Sequence, residues 1–134
     1  MNLRSELVSL LGKRISGLRK LVDGKDVALI GNAQSLFDEM RPIDMHEVVI
    51  RINRGIFLPP GRGEAGKRTD ILFVSHDPDK VPYREIAGQI VWMSPFERES
   101  LSLRRARDYY FYPAKWWSTL SREVGARPST GCMG

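Results

Sequence analysis

The sequence predicts an α/β fold of Rossmann type, a mostly parallel sheet with flanking helices, and three observations predict it. Short runs of consecutive apolar residues recur along the chain, at Val27-Ala28-Leu29-Ile30, Val48-Val49-Ile50 and Ile71-Leu72-Phe73-Val74. Runs without polar alternation mark strands buried on both faces, as parallel strands are. Turn residues and helix-forming segments separate them, which gives a β-α-β alternation. Polar segments, among them Gly31-Asn32, Asn53 and Ser75 to Asp79, follow directly on the apolar runs. They fall at the carboxyl ends of the strands, where sheets of this kind bind ligands.

The elements follow in order. Leu3, Leu7, Leu10, Leu11, Ile15, Leu18 and Val22 stand at three- and four-residue spacings with Arg4, Lys13, Arg14, Arg19 and Lys20 between them. This spacing predicts one amphipathic helix over 3–22. Its apolar side suits packing on the domain, while its basic side offers peripheral contact with anionic lipid or a partner subunit as the alternative. Asp23-Gly24-Lys25 ends it, so residues 1–25 form an N-terminal helix and turn and 26–134 an α/β domain. Strands are predicted at Asp26–Ile30, Glu47–Ile52, Asp70–Ser75 and Gln89–Met93, with a short fifth at Asp108–Tyr112. Helices are expected through Phe37 and Met40, around Pro95–Arg107 and over Pro113–Val124. Residues 53–69, punctuated by Gly55, Pro59, Pro60, Gly61, Gly63 and Gly66, read as a long basic loop.

Composition narrows the classes. With 134 residues, 42% of them hydrophobic and 28% charged, the chain suits one folded domain and is short for a complete two-substrate enzyme. A net charge of +5 favours acidic partners such as nucleotide phosphates or acidic sugars, nucleic acid or a membrane surface. The one cysteine, Cys132, excludes an intrachain disulfide, and no apolar run has the length of a membrane span or signal peptide. A cytoplasmic, reducing compartment is the expectation.

Several segments carry candidate chemistry, each with a plainer structural reading. Gly31-Asn32-Ala33-Gln34-Ser35, between a buried strand and a helix, can hold a phosphate or ribose, or can simply cap the helix. Arg51-Ile52-Asn53-Arg54-Gly55 ends the second strand with two cations and an amide, a contact set for an acidic sugar nucleotide or else a solvated strand end. Arg127-Pro128-Ser129-Thr130-Gly131 reads as a loop entering a helix N-terminus. Asp77-Pro78-Asp79 has the form of a metal-binding D-x-D or of a turn begun by Asp-Pro. Of the two histidines, His76 borders the presumed cleft and is the candidate general base, while His46 suits orienting a loop. Trp116, Trp117 and the run Tyr109-Tyr110-Phe111-Tyr112 suit core packing more than stacking on a ligand. Arg104, Arg105 and Arg107 read as a solvated helix face, since no nucleic-acid-binding module accompanies them.

Taken in order, these segments resemble glycosyltransferase family 29, the sialyltransferases. The family's large sialylmotif is similar to Val27-Ala28-Leu29-Ile30-Gly31-Asn32-Ala33 followed by Ile43-Asp44-Met45-His46-Glu47-Val48-Val49-Ile50-Arg51-Ile52-Asn53. Its Gly-x-Lys-Thr element resembles Gly66-Lys67-Arg68-Thr69, and the start of its small sialylmotif resembles Pro128-Ser129-Thr130-Gly131. The resemblance spans roughly Val27 to Gly131, with 77–127 unassigned.

It implies a Rossmann-like, GT-A-like sheet and an inverting transfer from a CMP-sugar donor to the hydroxyl of a glycan or other acceptor. It implies that Asn32 and Asn53 hydrogen-bond the CMP portion, with Gly31, Ser129, Thr130 and Gly131 lining the nucleotide and Arg51 near the donor. It implies no cofactor and no metal, and no nucleic-acid partner. The family's disulfide cysteine is replaced by Val27, as in a bacterial-type relative, and the later motif carrying its histidine base has no counterpart before Gly134. The chain is therefore expected to break off within the small sialylmotif and to lack a full catalytic set. The alternatives are a non-catalytic nucleotide- or partner-binding remnant and, further off, a basic nucleic-acid-binding protein.

Overall fold

The computed structural model describes residues 2–32, 42–57 and 66–128. Five strands, β1 (Val27–Leu29), β2 (Val48–Ile52), β3 (Ile71–Val74), β4 (Gln89–Trp92) and β5 (Tyr110–Phe111), form one sheet in the order β1-β2-β3-β4-β5. Every pairing is parallel, with Val27 opposite Val48, Ile50 opposite Ile71, Leu72 opposite Ile90 and Trp92 opposite Phe111. This is the α/β, Rossmann-like architecture, and each predicted strand lies where the apolar runs placed it.

Residue alternation sends successive side chains to opposite faces, so each face has its own core. One face carries Leu72, Val74, Ile90, Trp92 and Phe111, covered by Val8, Ile56, Tyr83, Leu101 and Ala106. Four of those covering residues, all but Val8, come from the connections that follow β2, β3 and β4. A sheet in sequential order with right-handed crossovers must carry its connections on one face, and these do. The other face carries Val48, Ile50, Ile71, Phe73, Val91 and Tyr110, packed by Ile15, Leu18, Leu21 and Val22.

The N-terminal segment supplies cover to both faces because it is not one helix. Helix α1 (Leu3–Leu11) and helix α2 (Ile15–Val22) are separated at residues 12–14. There the Lys13 N–H donates to Tyr109 O at 2.8 Å and Lys13 bridges Tyr110 in parallel fashion, at the outer edge of β5. The periodicity over 3–22 is real on either side of the break, but the chain spends its middle on the sheet edge and crosses from one face to the other. Val8 from α1 then joins one core and Leu18 from α2 the other.

A helix expected over Pro95–Arg107 is shorter than its sequence suggests. Residues Arg98–Ser100 make a 3-10 turn after Glu97, which adopts φ 62°, and only Leu103–Ala106 is α-helical (α3), capped by the Ser102 hydroxyl. The cause is Arg98, which is 1% exposed and turns inward. It donates to Ser94 O, Trp92 O and Tyr112 O and to the Ser9 hydroxyl, joining the ends of β4 and β5 to α1. The final helix α4 (Ala114–Val124) matches its prediction. Among the described residues, no helix is long and apolar enough to cross a membrane. The helix predicted through Phe37 and Met40 lies outside the described residues.

Candidate functional site

At the carboxyl ends of β1, β2 and β3, three polar side chains meet. Asn32, just beyond β1, donates from Nδ2 to Ile52 O at 3.1 Å. Asn53, just beyond β2, accepts on Oδ1 from the Ser75 N–H at 2.9 Å and from the Ser75 hydroxyl at 3.3 Å. Asn53 reaches that position with φ 48°, a left-handed conformation that asparagine tolerates better than most residues. Gly55 completes the arrangement: a Cβ there would lie 2.0 Å from Asn32 Oδ1. Only glycine lets the Asn32 amide lie against the turn after β2.

This geometry fixes which atoms are offered outward. Both donors of Ser75 are spent on Asn53 Oδ1, so the Asn53 amide must turn its Nδ2, with two N–H donors, away from that contact. Asn32 is held against the backbone of Ile52 and Gly55, as a clamp between the first two strand ends.

Beside Asn53 and Ser75 stand Arg54, exposed, and His76, half-buried. His76 Nε2 lies 2.9 Å from the Tyr83 hydroxyl, and the Tyr83 ring stacks on Phe57 with centroids 5.6 Å apart. Burial, and then the positive charge of Arg54, hold the His76 pKa below its ordinary 6.5, against an opposing pull from Asp77. The ring is neutral at pH 7. Burial raises the Tyr83 pKa above its ordinary value against the same Arg54 charge, so Tyr83 is a phenol.

The remaining residues of the sialylmotif-like pattern form a second network, on the segments that enter β2 and β3. Asp44 accepts from the Lys67 N–H at 2.7 Å and the Arg68 N–H at 3.0 Å. Burial pushes the Asp44 pKa up, but those two N–H groups with the Arg51 and Arg68 charges outweigh it and leave the pKa lowered. Gly66 has φ 68°, and a Cβ on it would lie 2.6 Å from Asp44 Oδ1. Arg68 donates to the Asp44 and His46 carbonyls and pairs with Asp70 at 2.9 Å, while Asp70 accepts from Val49 N–H at 2.7 Å. His46 pairs through Nδ1 with Asp26 at 2.9 Å.

Arg51 belongs to this network. It is 1% exposed, and its Nε donates to Arg68 O at 3.2 Å and to the Thr69 hydroxyl at 3.1 Å. Its side chain reaches back to the strand entrance, so the cation at the strand ends is Arg54.

The two carboxylates of Asp77-Pro78-Asp79 are occupied within the fold. Asp77, 5% exposed, caps the turn through the Asp79 N–H and accepts from the Ser100 hydroxyl at 2.8 Å. Asp79 takes Arg105 through Nε at 3.1 Å and Nη2 at 3.0 Å and also accepts from the Tyr109 hydroxyl. The segment is a turn that ties β3 to α3 and β5. Among the described residues, no group of three or more His, Cys, Asp or Glu side chains gathers as a metal would require.

The second motif is seen only at its start. Arg127 lies over the Phe96 ring at 4.4 Å, and Phe96 meets Trp117 edge-on at 5.1 Å, which brings the buried Pro128 to the loop after β4. Ser129, Thr130 and Gly131 lie outside the described residues. The carboxyl end of β4 adjoins that of β3, so the start of this motif and the Asn53 cluster share one end of the sheet.

Two larger clefts lie elsewhere. One of about 720 Å³ runs between the α1–α2 break and Tyr112-Pro113-Ala114, and one of about 620 Å³ between α2, Phe73 and Trp116. Both are mainly apolar, and although Val27 and Ile50 line the second, neither contains Gly31, Asn32, Arg51, Asn53 or His76, so volume and chemistry point to different places. The convergence of polar groups from separate motifs carries more weight than volume here.

Comparison of the chain with protein-family models, with curated proteins and with solved structures finds no match.

Proposed function

We propose that this chain forms the donor-binding portion of a sialyltransferase-like glycosyltransferase, which holds the CMP part of a CMP-sugar at the carboxyl ends of β1, β2 and β3. The observation that carries the reading is the meeting of Asn32, Asn53, Gly55 and Ser75, four residues from three separate stretches of sequence. A neutral amide with its donors turned outward suits ribose and phosphate oxygens. The loop after β4 brings Arg127 and Pro128 to the same end, which is where the second motif must be for both to line one nucleotide.

Support also comes from the residues that bind nothing. In the large-motif pattern, Asp44, Arg51, Gly66 and Thr69 have work to do inside the fold: they lock the strand entrances while the asparagines stand at the exits. A motif containing both kinds of residue is what a binding strand pair needs.

The reaction read from the resemblance is transfer of an acidic sugar to an acceptor hydroxyl with inversion, in which CMP leaves and a base takes the acceptor proton. Its place is a reducing, cytoplasmic compartment, in keeping with a single cysteine. Calorimetric titration with CMP tests the donor site. Asn53→Ala and Ser129→Ala are each expected to weaken binding about tenfold, the effect of losing one or two hydrogen bonds of roughly 1.4 kcal/mol in total. Binding unchanged in both variants contradicts the site. CMP binding without donor hydrolysis or transfer supports the non-catalytic alternative.

A further inference from the structure

The hydrogens at the strand-end cluster can be assigned one by one, and they all end up as donors. Tyr83 is wholly buried, and a buried phenol O–H needs an acceptor. Among the described residues its partner is His76 Nε2, at 2.9 Å. The hydroxyl therefore donates to Nε2, and the single proton of the neutral ring sits on Nδ1. The free nitrogen of His76 is thus an N–H. Asn53, whose Oδ1 is taken by Ser75, offers its Nδ2 hydrogens. The Arg54 guanidinium, adjacent in sequence and exposed, makes no hydrogen bond or ion pair among the described residues.

We infer that Asn53 Nδ2, the Arg54 guanidinium and His76 Nδ1–H together form a phosphate site, and that it receives the phosphate of the bound nucleotide, a diester in the CMP-sugar donor and a monoester in CMP. The assignment deepens the donor-site reading and rests on it. It replaces Arg51, which is spent on Arg68 and Thr69, by Arg54 as the phosphate-facing cation. It also changes the task of His76. A ring whose second nitrogen bears a hydrogen cannot take the proton of an acceptor hydroxyl, but it can donate to a phosphate oxygen. Tyr83 is then a positioning residue: it selects the tautomer by occupying Nε2.

Charge follows the same logic. In the free protein, burial and then the Arg54 charge hold the His76 pKa down; a bound phosphate anion offsets the Arg54 charge and raises that pKa, while the Tyr83 O–H, which needs Nε2 as its acceptor, opposes a second ring proton.

The test uses the whole chain, with CMP, cytidine and inorganic phosphate as separate ligands and chloride as the ionic-strength control. Nitrogen-15 NMR of the His76 ring is expected to show the proton on Nδ1 in the free protein. Inorganic phosphate is expected to raise the His76 pKa, and chloride to leave it in place. Arg54→Gln, a change at an exposed side chain, is expected to weaken CMP and phosphate about tenfold and to leave cytidine unchanged. Tyr83→Phe is expected to move the ring proton toward Nε2, a change that loss of packing alone would not produce. A proton found on Nε2, a His76 ring indifferent to phosphate, or CMP affinity unchanged in Arg54→Gln overturns the inference. Phosphate binding through Arg54 with no affinity for CMP or cytidine leaves the phosphate site standing and removes the nucleotide reading.

Discussion

Gly55 shows how much one hydrogen atom decides. Alanine at this position sets a methyl 2.0 Å from Asn32 Oδ1, so the Asn32 amide must leave Ile52 O or the turn after β2 must open. Gly55→Ala is expected to cost about 1–3 kcal/mol in urea unfolding, the usual range for overpacking, and to weaken CMP by a larger factor than a neutral surface change does. His76 makes a prediction in pH. Its folded pKa lies below 6.5, so between 6.5 and that lower value the unfolded chain holds a proton that the folded one does not. The contribution to stability is complete above pH 6.5 and is lost as the pH falls below it. The urea midpoint should fall on acidification through that range, and in His76→Asn the fall should be shallower. An equal slope in both proteins would place the effect elsewhere. The sequence pointed to Asn32 and Asn53 through their places after apolar runs. It could not show that Arg51 faces the strand entrance and Arg54 the exit, because both flank one strand end and only the pleat and the loop over 66–69 separate their directions.

Elements that repeat a simple pattern are the ones that sequence discloses. β2, β3 and β4 contain apolar runs buried on both faces, which mark them as strands; β1 is an apolar run too, although Leu29 at the sheet edge is exposed. The run Tyr109-Tyr110-Phe111-Tyr112 divides by alternation, with Tyr109 and Phe111 in one core and Tyr110 and Tyr112 against the other. What hid the division of the N-terminal helix is that residues 12–14 interrupt nothing in the spacing of leucines; the interruption comes from a backbone bond to Tyr109, nearly a hundred residues on. Arg98 was hidden for a similar reason. An arginine among Glu97, Glu99 and Ser100 has the look of a solvated face, yet burial drops its pKa to about 10 and four hydrogen bonds anchor it. Arg98→Met would leave the Ser94 and Tyr112 carbonyls short of a donor, while the Trp92 carbonyl keeps the Tyr112 N–H. A loss of about 3 kcal/mol or more in unfolding free energy is expected, given roughly 1–3 kcal/mol per unsatisfied buried group. The Asp44 clamp is smaller: Asp44→Ala removes the acceptor for two loop N–H groups near the surface, and about 1 kcal/mol is expected.

Across the whole molecule, the sheet runs in sequential order with no reversal among its described strands. A reversal is what normally opens a ligand crevice in an open α/β sheet. Here the polar convergence comes instead from turns: the 3-10 turn Asn53–Ile56 folds back over the β2 end, Asn32 reaches across to it, and Ser75 closes it from β3. The entrances of β2 and β3 are locked by Asp44, Arg68 and Asp70, so ligand binding at the exits need not move the sheet. On the proposed reading, the nucleotide binds along the exits of β1, β2 and β3. Mapping backbone amide shifts on addition of CMP tests it most directly. Concentrated shifts are expected at residues 31–32, 53–55, 75–76 and 127–131, with residues 66–70 and the cleft beneath Trp116 quiet. Shifts centred on that apolar cleft or on the strand entrances, with Asn53 and Ser75 unmoved, would contradict it.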